Sequence, residues 1–279
     1  MPIIVRTISD LRTEVAAWHL RGEKVAIVPT MGALHEGHLT LVREGFRHAD
    51  KVVVTIFVNP KQFAAHEDLG KYPRSEATDV EMLATVKADL VYAPSQDQIY
   101  HANFATTVHM AGPAVAGLED KFRPHFFDGV ATVVSKLFIQ SQADFAMFGE
   151  KDYQQLMVVK QMAADLDISV KVIGVPTVRD DDGMAKSSRN RYLSVHERHQ
   201  AKAIILSLRQ AAEKIRNGVE PQSATKAASR SLTTLGFKVD YVAARNAQTL
   251  GLPKSTDEPI RLLAAAWMGT TRLIDNIAV

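Results

Sequence analysis

Pro29-Thr30-Met31-Gly32-Ala33-Leu34-His35-Glu36-Gly37-His38-Leu39 is the stretch on which the fold turns. It follows Val25-Ala26-Ile27-Val28, an apolar, largely β-branched run that reads as a buried parallel strand. Leu39, Leu41, Val42 and Phe46 then mark a helix. Two histidines three residues apart therefore sit where a strand becomes a helix, and His38 is expected to open that helix. The first N–H groups of a helix lack internal partners and its dipole is positive at that end, so phosphate binds there readily. Gly32 and Gly37 are expected to let backbone approach a ligand closely. The two imidazoles can donate hydrogen bonds to phosphate oxygens as charge builds on them. A zinc pair on a helix needs histidines at i and i+4; here the spacing is i and i+3, with no third ligand in view.

Outward from this stretch the chain is ordinary. Its 279 residues carry 33 basic and 31 acidic side chains, a net charge of +2 that disfavours a broad nucleic-acid surface. At 46% hydrophobic it can fill a core, and with no cysteine it has no disulfides or thiolate metal sites. Met1-Pro2-Ile3-Ile4-Val5-Arg6 does not read as a signal peptide, and no apolar run approaches the ~20 residues of a membrane span. A cytoplasmic enzyme is expected.

Strand and helix patterns alternate through the first two-thirds. Strands are predicted at 51–58, 90–93, 106–110, 144–148 and 170–178, and helices at 75–88, 129–140 and 152–166. This βαβ rhythm predicts an α/β fold, a Rossmann-like parallel sheet with helices on both faces. Ligands of such sheets bind beyond the carboxyl ends of the strands, so His35, Asn59 and Glu150 should converge. After Arg179-Asp180-Asp181-Asp182-Gly183 the pattern changes to a long helix over 195–217, a second over 223–235, and strands near 237–243, 260–267 and 272–277. The division expected is 1–179 for the catalytic unit and 180–279 for a smaller α+β unit that closes over it.

Three further segments carry chemistry. Phe57-Val58-Asn59-Pro60-Lys61-Gln62-Phe63 places two amides at a strand end, where they suit hydroxyl or carboxylate recognition, or form a plain polar loop. Phe148-Gly149-Glu150-Lys151-Asp152-Tyr153-Gln154-Gln155 is again strand-to-helix. There Gly149 permits close approach, Lys151 suits phosphate, Asp152 would cap the helix or face the ligand, and Gln155 lies one turn in. Met184-Ala185-Lys186-Ser187-Ser188-Arg189-Asn190-Arg191 reads as a mobile cationic clamp suited to a triphosphate, or as a solvated basic loop.

With these segments in order, the chain resembles the HxGH nucleotidyltransferase superfamily. More narrowly it resembles the pantothenate synthetase (pantoate–β-alanine ligase) family, through Pro29–His38, Ile56–Phe63, Tyr72-Pro73-Arg74, Phe148–Leu156, Ser187–Leu193 and Arg272–Asn276. The resemblance covers nearly the whole chain. It implies ATP-dependent joining of pantoate to β-alanine through a pantoyl adenylate, releasing AMP and pyrophosphate, by a homodimer working with Mg²⁺. It also implies that Pro29, Met31, Gly32, His35, Gly37 and His38 contact ATP, with His35 and His38 at the reacting phosphate. Gly149, Glu150, Lys151, Asp152, Val178, Lys186, Ser187, Ser188 and Arg189 would complete the nucleotide site, with Lys151 and Ser187–Arg189 assisting the chemistry. Gln62, Gln155, Asn59 and Met31 would hold pantoate or β-alanine. One departure is that family members usually read Arg-Pro-Gly-His-Phe where this chain has Arg123-Pro124-His125-Phe126-Phe127. A nucleotidyltransferase that keeps AMP on its product, and a nucleotide sensor without turnover, are the alternatives.

Overall fold

The computed structural model describes residues 1–63, 69–71, 75–255 and 257–279; Tyr72-Pro73-Arg74 lies outside them. The first half of the chain runs β1 (Ile3–Val5), α1 (Ile8–Leu20), β2 (Val25–Thr30), α2 (Glu36–His48), β3 (Lys51–Ile56), α3 (Glu76–Thr85), β4 (Leu90–Tyr92), α4 (Gln96–Ile99) and α5 (Glu119–Phe122). It continues through α6 (Phe126–Ser141), β5 (Phe145–Gly149), α7 (Tyr153–Asp165), β6 (Lys171–Val175), α8 (Val195–Ala201), α9 (Ala203–Arg216), α10 (Pro221–Thr234), β7 (Lys238–Asn246), β8 (Ile260–Met268) and β9 (Thr271–Ala278).

The first six strands form one parallel sheet in the order β1-β4-β3-β2-β5-β6. All four of Val25–Val28 are fully buried, as a β-branched run covered by helices on both faces must be. Their side chains alternate between two cores. Val25 and Ile27 pack with α1, α6 and α7, whereas Ala26 and Val28 pack with α2 and α3. After β2 the chain steps outward to β3 and β4, then returns to place β5 on the other side of β2. That reversal opens a crevice at the carboxyl ends of β2 and β5, the position where doubly wound sheets bind ligands. Strands β7–β9 form a separate antiparallel sheet in sequence order, packed on α9 and α10 around its own core.

The α/β reading of the sequence holds, and the departures have local causes. Residues 106–110 form no strand, because helix α6 takes their polar groups instead. Val108 N donates to Thr132 Oγ1 (2.9 Å), and His109 lies against Asp128 (3.0 Å). The long helix expected over 195–217 is two, interrupted at Lys202 (ψ −17°). Strand β1 and helix α1 had no counterpart in the sequence reading; Thr7 caps α1 through Asp10 N. His125 adopts φ +67°, a left-handed backbone that glycine accepts without penalty. The chain thus takes a glycine-type conformation at the position where the resemblance leads one to expect glycine.

Candidate active site

Asp79 builds the loop that leaves β2. Its carboxylate is 1% exposed and accepts from Ala33 N (2.9 Å) and Leu34 N (2.8 Å). This holds Gly32 (φ +80°) and Ala33 (φ +52°) in left-handed turns, and a Cβ on Gly32 would meet Asp79 Oδ2 at 3.0 Å. Helix α2 then starts two residues earlier than expected, at Glu36, with His35 as its N-cap and His38 in its first turn. His35 Nδ1 accepts from Gly37 N (3.1 Å), and His38 Nδ1 accepts from His35 N (3.2 Å). The rings lie 4.1 Å apart. Gly37 is glycine for packing, since a Cβ there would stand 2.8 Å from the His35 ring.

This arrangement changes what the helix start offers. The amide hydrogens of Gly37 and His38 are already used, by the His35 ring and by His35 O (2.8 Å). Because both Nδ1 atoms accept, both neutral rings carry their proton on Nε2. Burial, reinforced by the Lys151 charge, lowers His35 to about 4. Burial, with His35 and Lys151 adding to it, lowers His38 to about 3. At neutral pH the pair is therefore two uncharged Nε2–H donors standing where bare backbone amides were expected.

Beyond β3, Asn59 is 1% exposed and fully committed. Its Nδ2 donates to Gln62 Oε1 (3.0 Å) and Gly129 O (3.1 Å), and its Oδ1 accepts from Tyr100 Oη (2.8 Å) and Lys61 N (3.3 Å). Both its donors and both its acceptor positions thus have protein partners, and the residue lines the crevice. Its task is to turn Gln62 so that Nε2 faces Met31 Sδ (3.1 Å). Gly129, inside the apolar helix α6, lets this turn pack directly against the helix. A Cβ there would lie 2.3 Å from Lys61 O.

Beyond β5, Gly149 has open space where a Cβ would be, and it lines the crevice. The Lys151 side chain is largely enclosed and lies 3.7 Å from the Asp152 carboxylate. Asp152 heads α7 without a side-chain capping bond, so capping is not its role. Glu150 pairs with Arg261 (2.9 Å) and is not among the residues lining the crevice. Gln154 is buried on Glu119 N, Pro113 O and Asp120, whereas the Gln155 amide has no protein partner among the described residues and faces the crevice.

The 184–191 segment is held in place rather than free. A bridge pairs Arg179 with Ala185, Lys186 N donates to Val178 O (2.9 Å), and Ser188–Tyr192 forms a 3-10 turn capped by Ser187. The Lys186 ammonium pairs with Asp180. The crevice so formed has a volume near 230 Å³ and gathers Pro29, Met31, His35, Gly37, His38, Asn59, Gln62, Gly149, Lys151, Asp152, Gln155, Val178 and Lys186–Arg189. Gly32 stays behind it, on Asp79. Thr177 also lines it, with a buried hydroxyl that has no partner among the described residues; nothing in its sequence context marked it. A larger cavity, near 450 Å³, adjoins the crevice across Lys151, Asp152, Gln155, Ser187 and Arg189 and runs between the two sheets' units.

A family model described as pantoate-beta-alanine ligase matches residues 3–278. The chain belongs to the pantoate–β-alanine ligase family. It is 54% identical over 279 residues to the pantothenate synthetase of Rhodopseudomonas palustris, covering 100% of this chain and 99% of that one. It is also 54% identical over 282 residues to the pantothenate synthetase of Caulobacter vibrioides, with the same coverage. Among solved structures, pantothenate synthetase from Thermus thermophilus superposes with a TM-score of 0.92 at 41% identity, covering 99% of this chain and 98% of that one. The Francisella tularensis pantoate-beta-alanine ligase, complexed with beta-gamma ATP and β-alanine, superposes with a TM-score of 0.83 at 32% identity over 100% of this chain and 98% of that one. The family's six-stranded parallel sheet and three-stranded antiparallel sheet are those seen here.

Proposed function

We propose that the crevice between β2 and β5 activates pantoate with ATP and then passes the acyl group to β-alanine, giving pantothenate, AMP and pyrophosphate. The observation that carries this reading is the pair of neutral Nε2–H imidazoles facing Gln62 and Gln155 across one cleft. Family membership and the ATP and β-alanine in the Francisella tularensis complex support it.

A carboxylate does not form an amide unaided, because its oxygen is a poor leaving group. In the first step a pantoate carboxylate oxygen attacks the α-phosphorus and the bond to pyrophosphate breaks. Charge on the non-bridging oxygens is met by the Nε2–H groups of His38 and His35, which donate as neutral rings. Lys151 and the Lys186–Arg189 turn meet the departing phosphates, with Lys186 drawn from Asp180. Gln62 and Gln155 hold pantoate, with Met31 beneath Gln62. In the second step the β-alanine amine attacks the pantoyl carbonyl, the bond to AMP breaks, and the amine proton passes to solvent or a basic group. Asp152 is the one carboxylate among the crevice-lining residues, which fits a magnesium ion carried mainly by the nucleotide's phosphates and water. When bound, that ion would neutralise the leaving pyrophosphate.

The unit from residue 180 onward is proposed to close over the crevice carried by 1–179. Assembly as a homodimer in the cytoplasm is proposed on the family resemblance; among the described residues no helix is long and apolar enough to cross a membrane. The test is ATP–pyrophosphate exchange. Exchange that needs pantoate but not β-alanine, followed by transfer of ¹⁸O from labelled pantoate into AMP, is expected. Exchange without pantoate, or AMP free of label, would overturn the reading.

A further inference from the structure

The segment Arg272-Leu273-Ile274-Asp275-Asn276 lies on β9, in the second sheet, and has no part in the chemistry above. Asn276 is 2% exposed and reaches across to the 3-10 turn that carries Lys151. Its Nδ2 donates to both Glu150 O (2.9 Å) and Lys151 O (2.8 Å). Those carbonyls belong to the peptide units immediately before and after the Lys151 Cα. Fixing both units fixes the φ and ψ of Lys151, and so the direction in which its side chain leaves the backbone.

The amide that does this is itself held from behind. Arg261 Nε donates to Asn276 Oδ1 (2.7 Å), its Nη2 pairs with Glu150 (2.9 Å), and its guanidinium stacks over Tyr153 at 4.2 Å. Asn276 N donates to Asp275 Oδ1 (2.7 Å), and Arg179 holds Asp275 in a two-pronged pair at 2.8 and 2.9 Å. Each group that could let the amide rotate is therefore engaged. We infer that Asn276, backed by Arg261, is a positioning residue for adenylation: it clamps the backbone on both sides of Lys151 and aims that ammonium into the crevice. The inference rests on the reading of Lys151 as a partner of the leaving phosphates.

The test uses Asn276→Ala and Asn276→Asp, each alone and combined with Lys151→Ala, in pantoate-dependent ATP–pyrophosphate exchange. Asn276→Asp keeps the shape and the acceptor for Arg261 but sets a carboxylate against two carbonyls; it carries the test should Asn276→Ala not fold. Either variant is expected to lower the exchange rate by about 10- to 100-fold, the scale of a misplaced catalytic group. The KM for pantoate should stay within about twofold, because pantoate is read as held by Gln62 and Gln155 rather than by Lys151. In the Lys151→Ala background the same changes should cost less than about twofold more, since two residues acting as a unit do not add. Wild-type exchange in Asn276→Asp, or losses that multiply in the double variant, would overturn the positioning role while leaving Lys151 in place. Unimpaired exchange in Lys151→Ala alone would instead remove Lys151 from the reaction, and the inference with it.

Discussion

Gly129→Ala is expected to weaken pantoate binding although residue 129 carries no side chain to touch a substrate. The added Cβ would lie 2.3 Å from Lys61 O, 2.6 Å from Lys61 C and 2.8 Å from Gln62 N, whereas ordinary contact begins near 3.4 Å. The shortfall against Lys61 O is about 1.1 Å (3.4 less 2.3), and the obstructing atoms are backbone, which no rotamer change can move aside. Helix α6 is wedged in place, with thirteen of its sixteen residues buried, so the exposed-side turn 60–62 must yield. That turn carries Gln62, and the Asn59–Gly129 O bond that orients it (3.1 Å) stretches at the same time. Overpacking of this kind costs about 1–3 kcal/mol, and alanine's better helix propensity returns about 1, so the fold should survive with a loss of about 0–2 kcal/mol. A displacement of about 1 Å at a substrate-holding group is worth about 100-fold in kcat/KM for pantoate. Steady-state kinetics with pantoate and ATP varied separately, alongside urea unfolding, measures both. A folded variant with an unchanged pantoate kcat/KM would refute the view that helix α6 sets the place of Gln62.

Three further outcomes are expected. Gln155→Ala should raise the KM for pantoate more than that for ATP, because its amide faces the crevice without a protein partner among the described residues; an effect confined to ATP would contradict the assignment. His38→Ala should lower the adenylation rate by about 10²–10³, roughly 3–4 kcal/mol for one lost preorganised donor, measured as pre-steady-state AMP formation, and near-normal turnover would remove His38 from the mechanism. Because His38 falls to about 3 in the folded chain against about 6.5 unfolded, the unfolded state takes up a proton first as pH drops and stability is lost between those values. From pH 7 to pH 5 this amounts to about 2 kcal/mol for this ring. Urea unfolding of the ligand-free protein should therefore show a smaller acid loss, by about that amount, in His38→Ala; equal losses in the two proteins would show that the ring is not held neutral.

The strand-to-helix junctions were legible because each is a local pattern. An apolar run, a glycine and then helical spacing follow one another around His35, and again around Lys151. What the pattern left out is what holds each junction in shape, since those partners lie far along the chain. Asp79 fastens Ala33 and Leu34 from 46 and 45 residues away, and Asn276 fastens Lys151 from 125. A carboxylate in the first turn of α3 looks like an ordinary complement to the helix dipole, and an asparagine before Ile277 like an edge residue of a strand. Asn59 and Glu150 show the same reach of distant partners. Residue type and strand-end placement suggested a binding role, and the pattern gave no sign that Tyr100 and Gly129 would bond Asn59 or that Arg261 would bond Glu150. Gly129 was the one distant support with a readable signal, because a glycine inside an apolar helix costs about 1 kcal/mol against alanine and so points to a close backbone approach. The helix start shows the limit from the other side. That phosphate should be met there follows from sequence, but that His35 and His38 would consume the backbone donors and present their own Nε2–H groups instead follows only from how the two rings fold back onto the chain.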